Sequence, residues 1–203
     1  MRILGLFAVA VVSGLVWFYI TNDSSTSSSS DGTDTSASQA PAGAFDFAPS
    51  DKMSRPDTVK KDCDKHAYGK IKDFLTTTAC DHLTRRLYVT KVDGRTIYTS
   101  VSVVTMPSEA EAADLRDLTD QDQTGNVSDV VRDKVVTIDG LKTLSADDGY
   151  ASRQTGADVI IVESAFAPKD KSGDEKADET ILDKVSTDGL RLADELDADS
   201  GTG

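Results

Sequence analysis

The chain has 203 residues, which is enough for one domain of ordinary size together with tails. Apolar residues make up only 38 % of it, so we expect part of the length to stay outside any packed core. The formal net charge of −13 argues against nucleic-acid binding, because a protein that grips a phosphate backbone needs a basic surface.

An uncharged apolar run covers residues 3–20 and follows a basic N-terminal end, residues 1–2. As a helix it would be about 27 Å long, close to the ~30 Å hydrocarbon core of a bilayer. Trp17 and Tyr19 lie at its C-terminal end, where aromatic rings favour the headgroup region. No basic residue follows until Lys52, so the positive charge stays on the cytoplasmic side. We therefore predict a single-pass transmembrane signal anchor in the lipid bilayer, with the remaining chain outside.

Two alternatives remain for this run. The triplet Ala8-Val9-Ala10 has the small-x-small form of a cleavage site, and secretion after cleavage is the first alternative. Cleavage there would leave a hydrophobic new N-terminus, which favours the uncleaved anchor. A buried helix of a soluble protein fits less well, because a polar stretch follows at once.

Three regions follow the run. Residues 21–50 are mostly Ser, Thr, Asp, Gly and Ala, which bury too little apolar surface to offset chain entropy, so they predict a disordered linker. Residues 51–168 have nearly balanced charge and predict an extracytoplasmic domain. Residues 169–203 carry five basic and 11 acidic groups and predict an acidic tail with a possible helix over 178–196.

The chain contains two cysteines, Cys63 and Cys80, and a pair outside the membrane normally forms a disulfide. Apolar residues between them recur at helical spacing over 64–75, so the bridge would tie a helix to the loop after it. Zinc is the alternative, because His66 and His82 would complete a Cys2His2 set. The Cys80-x-His82 spacing is unusual for such a site, which favours the disulfide.

A β-hairpin is the clearest local signal. Asp93-Gly94 separates two β-rich runs, 86–92 and 95–105, and this dipeptide is typical of a type I′ turn. Ser108-x-x-Glu111 then forms a capping box, and the Ala- and Leu-rich stretch after it predicts a helix to about residue 120.

The exit of this helix has some features of a calcium loop. Asp120, Asp122 and Thr124 occupy the first, third and fifth positions of an EF-hand-like loop, with Gly125 at the sixth. The twelfth position is Val131 instead of a bidentate carboxylate. A polar helix exit with a glycine turn is therefore the preferred interpretation, and calcium is the alternative.

Three further strands are predicted at 134–138, 149–153 and 158–166, the last two joined as a hairpin. The continuous run 159–162 is typical of a central strand that is buried on both faces. The order of elements predicts an α+β fold, with a small antiparallel sheet and helices packed on one face.

The stretch from residue 63 to 168 resembles a group of uncharacterised actinobacterial membrane-anchored or secreted proteins with a two-cysteine domain. Five features carry the resemblance, namely the Cys63/Cys80 frame, Met106-Pro107 before an Ala-rich helix, Gly125-Asn126-Val127, Tyr150-Ala151-Ser152-Arg153, and Gly156. The resemblance implies export, these domain limits and a bridged frame. The resemblance implies no activity or cofactor. It implies that residues 125–127 form a turn shared with this group of proteins and not a calcium site.

The sequence shows no nucleophile elbow, Walker loop or dinucleotide fingerprint. We therefore expect a non-catalytic binding domain without a cofactor, whose partner is an envelope protein, peptide or polymer. A cell-envelope hydrolase or metal-dependent enzyme is the alternative, and it requires carboxylates or histidines that converge in a cleft. Tyr150 and Arg153 are the candidate surface-contact residues.

Overall fold

A computed structural model describes residues 43–144 and 149–200, and the predicted anchor at 3–20 lies outside these ranges. The strands are β1 (Ala48–Pro49), β2 (Asp57–Lys60), β3 (His82–Val92), β4 (Arg95–Thr105), β5 (Gly149–Thr155) and β6 (Asp158–Phe166). The α-helices are α1 (Gly69–Thr77), α2 (Glu109–Thr119), α3 (Glu175–Gly189) and α4 (Ala193–Ser200). Short 3₁₀ turns occur at Cys63–His66, Pro168–Asp170 and Leu190–Leu192. Within the two described ranges, no helix combines the length and apolar character needed to cross a bilayer.

All six strands belong to one antiparallel sheet in the order β1-β3-β4-β6-β5, with β2 paired to the other part of the β3 edge. The predicted hairpin is confirmed as β3 and β4. Asp93 and Gly94 both have positive φ, 51° and 77°, as a type I′ turn requires. The fold is therefore α+β with an antiparallel sheet.

Strand β6 lies between β4 and β5 and is buried on both sides, as its apolar run predicts. Val159 and Ile161 pack with α1 and α2 on the side that we call the α2 face. Ile160 and Val162 pack against residues of α4 on the side that we call the α3 face. The prediction that helices cover only one face is therefore wrong, because the acidic tail supplies an apolar helix surface to the second face.

Helix α3 buries its apolar side on this α3 face. Leu182 and Val185 pack against Ile97 and Phe166 of the two central strands. Their burial fixes the C-terminal segment on the sheet, and each such side chain contributes about 1.5–3 kcal/mol when fully buried.

The N-terminal end of the described chain is fastened to the same helix. The backbone N–H of Phe45 donates to Oδ2 of Asp188 at 2.9 Å, and Nη2 of Arg191 donates to the carbonyl of Phe45 at 2.7 Å. We call these two hydrogen bonds the Phe45 clamp. Packed residues thus occur on both sides of the predicted range 51–168.

Helix α2 begins as the capping box predicts. The hydroxyl of Ser108 accepts the backbone N–H of Glu111 and itself donates to the Glu111 carboxylate at 2.8 Å. Ala112 and Leu115 then point into the core of the α2 face. The helix end at Thr119 sets the position of the polar loop that follows.

Two local predictions are wrong. The helix predicted over 64–75 begins only at Gly69, because Tyr68 is extended and Gly69 has a φ of +64°. The strand predicted at 134–138 is a series of turns, in which Lys134 has a φ of +60°. The apolar side chains of that segment are buried instead by the loop itself packing on the sheet.

Candidate functional site

The structure joins Cys63 and Cys80 by a disulfide, as the sequence predicts. Both residues are buried, and their Cα atoms are 6.2 Å apart. The bridge connects the 3₁₀ turn before α1 with the residue pair before β3, so it fixes one end of the α2 face.

The four candidate zinc ligands do not form a site. The disulfide consumes both thiols, and the two imidazoles have separate partners. Nδ1 of His66 is 2.6 Å from Oδ2 of Asp133, and Nε2 of His82 is 3.1 Å from the hydroxyl of Thr105.

The candidate calcium ligands also have other contacts. Asp120 accepts hydrogen bonds from two hydroxyls of β5, and the buried hydroxyl of Thr124 donates to the carbonyls of residues 118 and 121. Asp122 is exposed. In the part of the chain that the structure describes, no group of three or more His, Cys, Asp or Glu side chains could hold a metal ion.

Tyr150 and Arg153 lie on opposite sides of β5, because they are separated by an odd number of positions along the strand. Tyr150 packs on the α2 face, whereas Arg153 donates to the carbonyl of Leu190 at 3.3 Å. The structure therefore does not bring the two predicted contact residues together.

A pocket of about 400 Å³ opens on the α2 face, between the end of α2 and strands β5 and β6. Its lining includes Tyr68, Asp120, Asn126, Tyr150 and Glu163. We call it the Glu163 pocket. One of its residues, Tyr150, is a predicted contact residue, and two others, Asp120 and Asp122, are candidate calcium ligands.

A close approach of two backbone segments forms one wall of the pocket. The N–H of Tyr68 donates to the carbonyl of Asn126 at 3.0 Å, and the N–H of Lys70 donates to the carbonyl of Thr124 at 2.7 Å. Gly125 has a φ of +84°, and a Cβ there would stand 2.2 Å from the carbonyl oxygen of Tyr68. Only glycine fits this crossing, which explains the turn at 125–127 structurally.

Glu163 is the buried acid of the pocket, with 2 % of its surface exposed. Burial, reinforced by the nearby charge of Asp129, raises the pKa of this carboxyl well above its ordinary range. The side-chain amide of Asn126 donates to Oε1 at 2.9 Å and partly offsets the shift. Asn126 is the hydrogen-bond partner of this carboxyl among the described residues. The second oxygen of Glu163 can therefore accept a hydrogen bond from a ligand.

A second polar group lies beside the acid. Ser100 is the direct partner of Glu163 in the register of β4 and β6, so both side chains point to the α2 face. The Ser100 hydroxyl is buried and has no hydrogen bond within the described part of the chain. Buried polar atoms without partners are uncommon, and this one adjoins the pocket acid.

Hydrogen bonds from β5 hold another carboxyl of the pocket lining in place. Oδ1 of Asp120 accepts hydrogen bonds from the hydroxyls of Tyr150 at 3.1 Å and Ser152 at 2.5 Å. Burial and the charge of Asp120 raise the pKa of the Tyr150 phenol, which keeps it a hydrogen-bond donor. Strand β5 thereby fixes the Asp120 carboxyl in the lining of the pocket that also includes Glu163.

A separate buried ion network lies on the same face. The guanidinium of Arg85, which is fully buried, donates to Asp57 at 2.5 Å, to Asp133 at 2.6 Å and to the carbonyl of Ser128 at 2.7 Å. Burial raises the pKa of Asp133, but hydrogen bonds from Arg85 and His66 outweigh it, and the net pKa is lowered. This network ties β2 and β3 to the loop after α2.

The sequence analysis missed Glu163, Asn126 and Arg85 as site or network residues. Glu163 could have been noticed, because a charged residue directly after the run 159–162 of a central strand must be buried. Comparison of the chain with protein-family models, curated proteins and solved structures finds no significant match.

Proposed function

We propose that this chain is a membrane-tethered, extracytoplasmic binding protein whose ligand site is the Glu163 pocket. The observation that carries the proposal is a buried carboxyl with one hydrogen-bonded oxygen at the wall of a pocket of about 400 Å³. That volume lies within the range of small-molecule sites. A ligand here would supply the hydrogen bond that the second oxygen of Glu163 does not receive from the described residues.

The proposed compartment is supported by the chain itself. The disulfide between Cys63 and Cys80 suits an oxidising environment, where such bonds persist. The apolar run 3–20 has the length and flanking charges of an anchor. A partner in the cell envelope, whether protein, peptide or polymer, would reach the pocket from the same side.

Hydrolysis is the second candidate function. Two carboxyl groups are also the central parts of many glycoside hydrolase sites, and the lining of this pocket includes Glu163, with its raised pKa, and Asp120. The carboxylate of Asp120, however, accepts two hydroxyl hydrogen bonds and lies 3.9 Å from the guanidinium of Arg116. These contacts already engage the oxygens of the Asp120 carboxyl, so binding is the better-supported function.

The location is tested by adding protease to intact cells that produce the chain. We expect digestion of an epitope fused at the C-terminus, whereas a cytoplasmic marker protein stays whole. Protection of the epitope until the cells are lysed would contradict the proposed orientation.

The binding site is tested by NMR with the isotope-labelled full chain in uncharged detergent micelles. A panel of amines, sugars and amino acids should include compounds that shift the amide signals of Gly125, Asn126 and Tyr150. Gln121→Trp should abolish the shifts, because Gln121 is exposed at the pocket rim. Thr180→Trp is the control, since Thr180 is exposed on α3.

Two outcomes would overturn this proposal. The first is a set of shifts that persists in the Gln121→Trp variant, which would place the ligand elsewhere. The second is steady release of hydrolysis product from a bound glycan or peptide, which would replace a binding protein with an enzyme.

A further inference from the structure

The charge around the Glu163 pocket favours one class of ligand, and this inference rests on the proposed binding function. Asp120 and Asp122 add negative charge at the rim, and the chain as a whole carries −13. Such a potential repels anions and concentrates cations at the opening.

The aromatic wall of the pocket has an intramolecular precedent for cation binding. The guanidinium carbon of Arg132 lies 3.6 Å from the ring centroid of Tyr68. This ring, which also lines the pocket, therefore already accepts a guanidinium on its π-system. The contact shows that a cation can pack on an aromatic ring of the pocket lining, where Arg132 is the cation in the described structure.

The wall of the pocket offers a hydrogen-bond acceptor; the charge of Arg132 acts on Glu163, but Arg132 makes no hydrogen bond to it among the described residues. Asn126 satisfies one oxygen of Glu163, and the other oxygen has no hydrogen bond among the described residues. A cationic N–H donor that reached this oxygen would make a charge-assisted hydrogen bond, which is stronger than a neutral one.

We propose that the Glu163 pocket binds an organic cation, a primary ammonium or a guanidinium, and that the bound cation replaces the proton on the carboxyl of Glu163. The acid O–H bond breaks, its proton passes to the solvent, and an N–H of the cation donates to the resulting carboxylate. The cation keeps all its protons, so charge and atoms balance.

The charged and titratable groups around Glu163 are consistent with this exchange. Asp129 from the loop after α2 and Asp120 from the end of α2 are negative and favour a cation. Arg132 from the same loop as Asp129 favours the ionised acid. Tyr150 from β5 and Tyr68 before α1 also line the pocket.

The test is calorimetry on the full chain in uncharged detergent micelles, with n-butylammonium as the probe and n-butanol as its neutral counterpart. Titrations in two buffers of different ionisation enthalpy count the protons released. We expect the amine to bind, the alcohol not to bind, and release of about one proton per bound cation. Equal binding of both compounds, or amine binding without proton release, would overturn the proposal.

Variants separate the role of Glu163 from net charge. Glu163→Gln should weaken amine binding by about tenfold or more, because it removes the charged acceptor and keeps the shape. Asp122→Asn at the exposed rim should weaken it about two- to fivefold. Glu179→Gln makes the same charge change at an exposed position on α3 and should leave the affinity within about twofold. Unchanged affinity in Glu163→Gln, with its folded spectrum intact, would refute the inference.

Two blocked tripeptides distinguish the source of the cation. A peptide with a central lysine should bind if the natural ligand is a side chain of an envelope peptide, and its glutamine counterpart should not. Binding of n-butylammonium alone would point to a free amine. If neutral sugars shift the amide signals of the pocket and no cation binds, the cation proposal is wrong and the proposed binding function stands. If no compound shifts these signals, both proposals are wrong.

Discussion

The two faces of the sheet bury polar groups of different kinds at their centres, whereas the buried Asp178 of α3 pairs with Arg95 at one end of β4. The α2 face encloses the ionisable side chains Arg85, Asp129 and Glu163, all at most 2 % exposed. At the centre of the α3 face the buried polar groups are hydroxyls, where Ser164 is hydrogen-bonded to Thr99 at 3.0 Å and to Ser186 at 2.9 Å.

This difference shows which face of the sheet carries the energetic cost of buried charges. Buried charges are expensive unless they are paired, whereas hydroxyls satisfy one another at little cost. The α3 face therefore has the character of a structural surface. The α2 face keeps a network that orders the loop after α2 and an acid that opens into a pocket, which is the pattern expected of a binding side.

The largest effect should come from breaking the buried ion network of the α2 face. Arg85→Met would leave Asp57 and Asp133 without their shared cation, and removal of one partner from a buried pair costs about 3–5 kcal/mol. Urea unfolding should show the loss, with Arg55→Met, at an exposed position, as the control. A loss below about 1 kcal/mol would mean that the network contributes little and that the two faces are alike.

The next effect tests the apolar packing of the α3 face. Leu182→Ala should lower the free energy of unfolding by about 2–5 kcal/mol, because the fully buried side chain packs on Phe166. Thr180→Ala, exposed on the same helix, should change it by less than about 0.5 kcal/mol. Equal small losses in both variants would show that α3 does not stabilise the sheet.

The pH dependence of stability should also differ between groups of the α2 face. Folded Glu163 holds its proton at pH values where the unfolded chain has released it, so stability falls as the pH rises from the ordinary Glu range to the raised folded pKa. The slope is at most about 1.4 kcal/mol per pH unit. Glu163→Gln should remove this slope in a series of urea titrations, and retention of the slope would assign it to another group.

Asp133 provides the opposite sign in a different window. Its folded pKa is lowered, so its contribution is present above the ordinary Asp range and is lost as the pH falls through the folded value. The two carboxyls therefore act at opposite ends of the acid range, and the same titration series separates them.

The smallest effect should come from the hydroxyl chain of the α3 face. Ser186→Ala removes one hydrogen bond and leaves Ser164 bonded to Thr99, so the expected loss is about 0.5–1.5 kcal/mol in urea unfolding. A loss as large as that of Arg85→Met would remove the contrast between the two faces.

Local signals predicted much of this fold. The turn at Asp93-Gly94, the cap at Ser108 and the apolar run of β6 each depend on a few neighbouring residues, and all three are confirmed. The disulfide is confirmed as well, and its prediction rested on the presence of only two cysteines and on the expected export of the chain.

Long-range contacts account for what the sequence did not reveal. The segment 134–138 has the composition of a strand, but Asp129 holds the surrounding loop by accepting two backbone N–H groups of its own turn and two donors from residues 143 and 144. Strands β1 and β2 are short and exist only through pairing with β3. The Glu163 pocket combines residues from four distant segments, and their spacing along the chain does not predict that they lie together.

The Phe45 clamp would have a mechanical consequence if the chain is tethered through its N-terminus, as we propose. Tension that arrives along the N-terminal segment meets the hydrogen bonds to Asp188 and Arg191 before it reaches the body of the sheet. The force is thus passed first to the C-terminal helix, which would peel from the α3 face while the disulfide-braced side stays intact. In that arrangement, the two hydrogen bonds of the Phe45 clamp would break before the pocket on the other face of the sheet is disturbed.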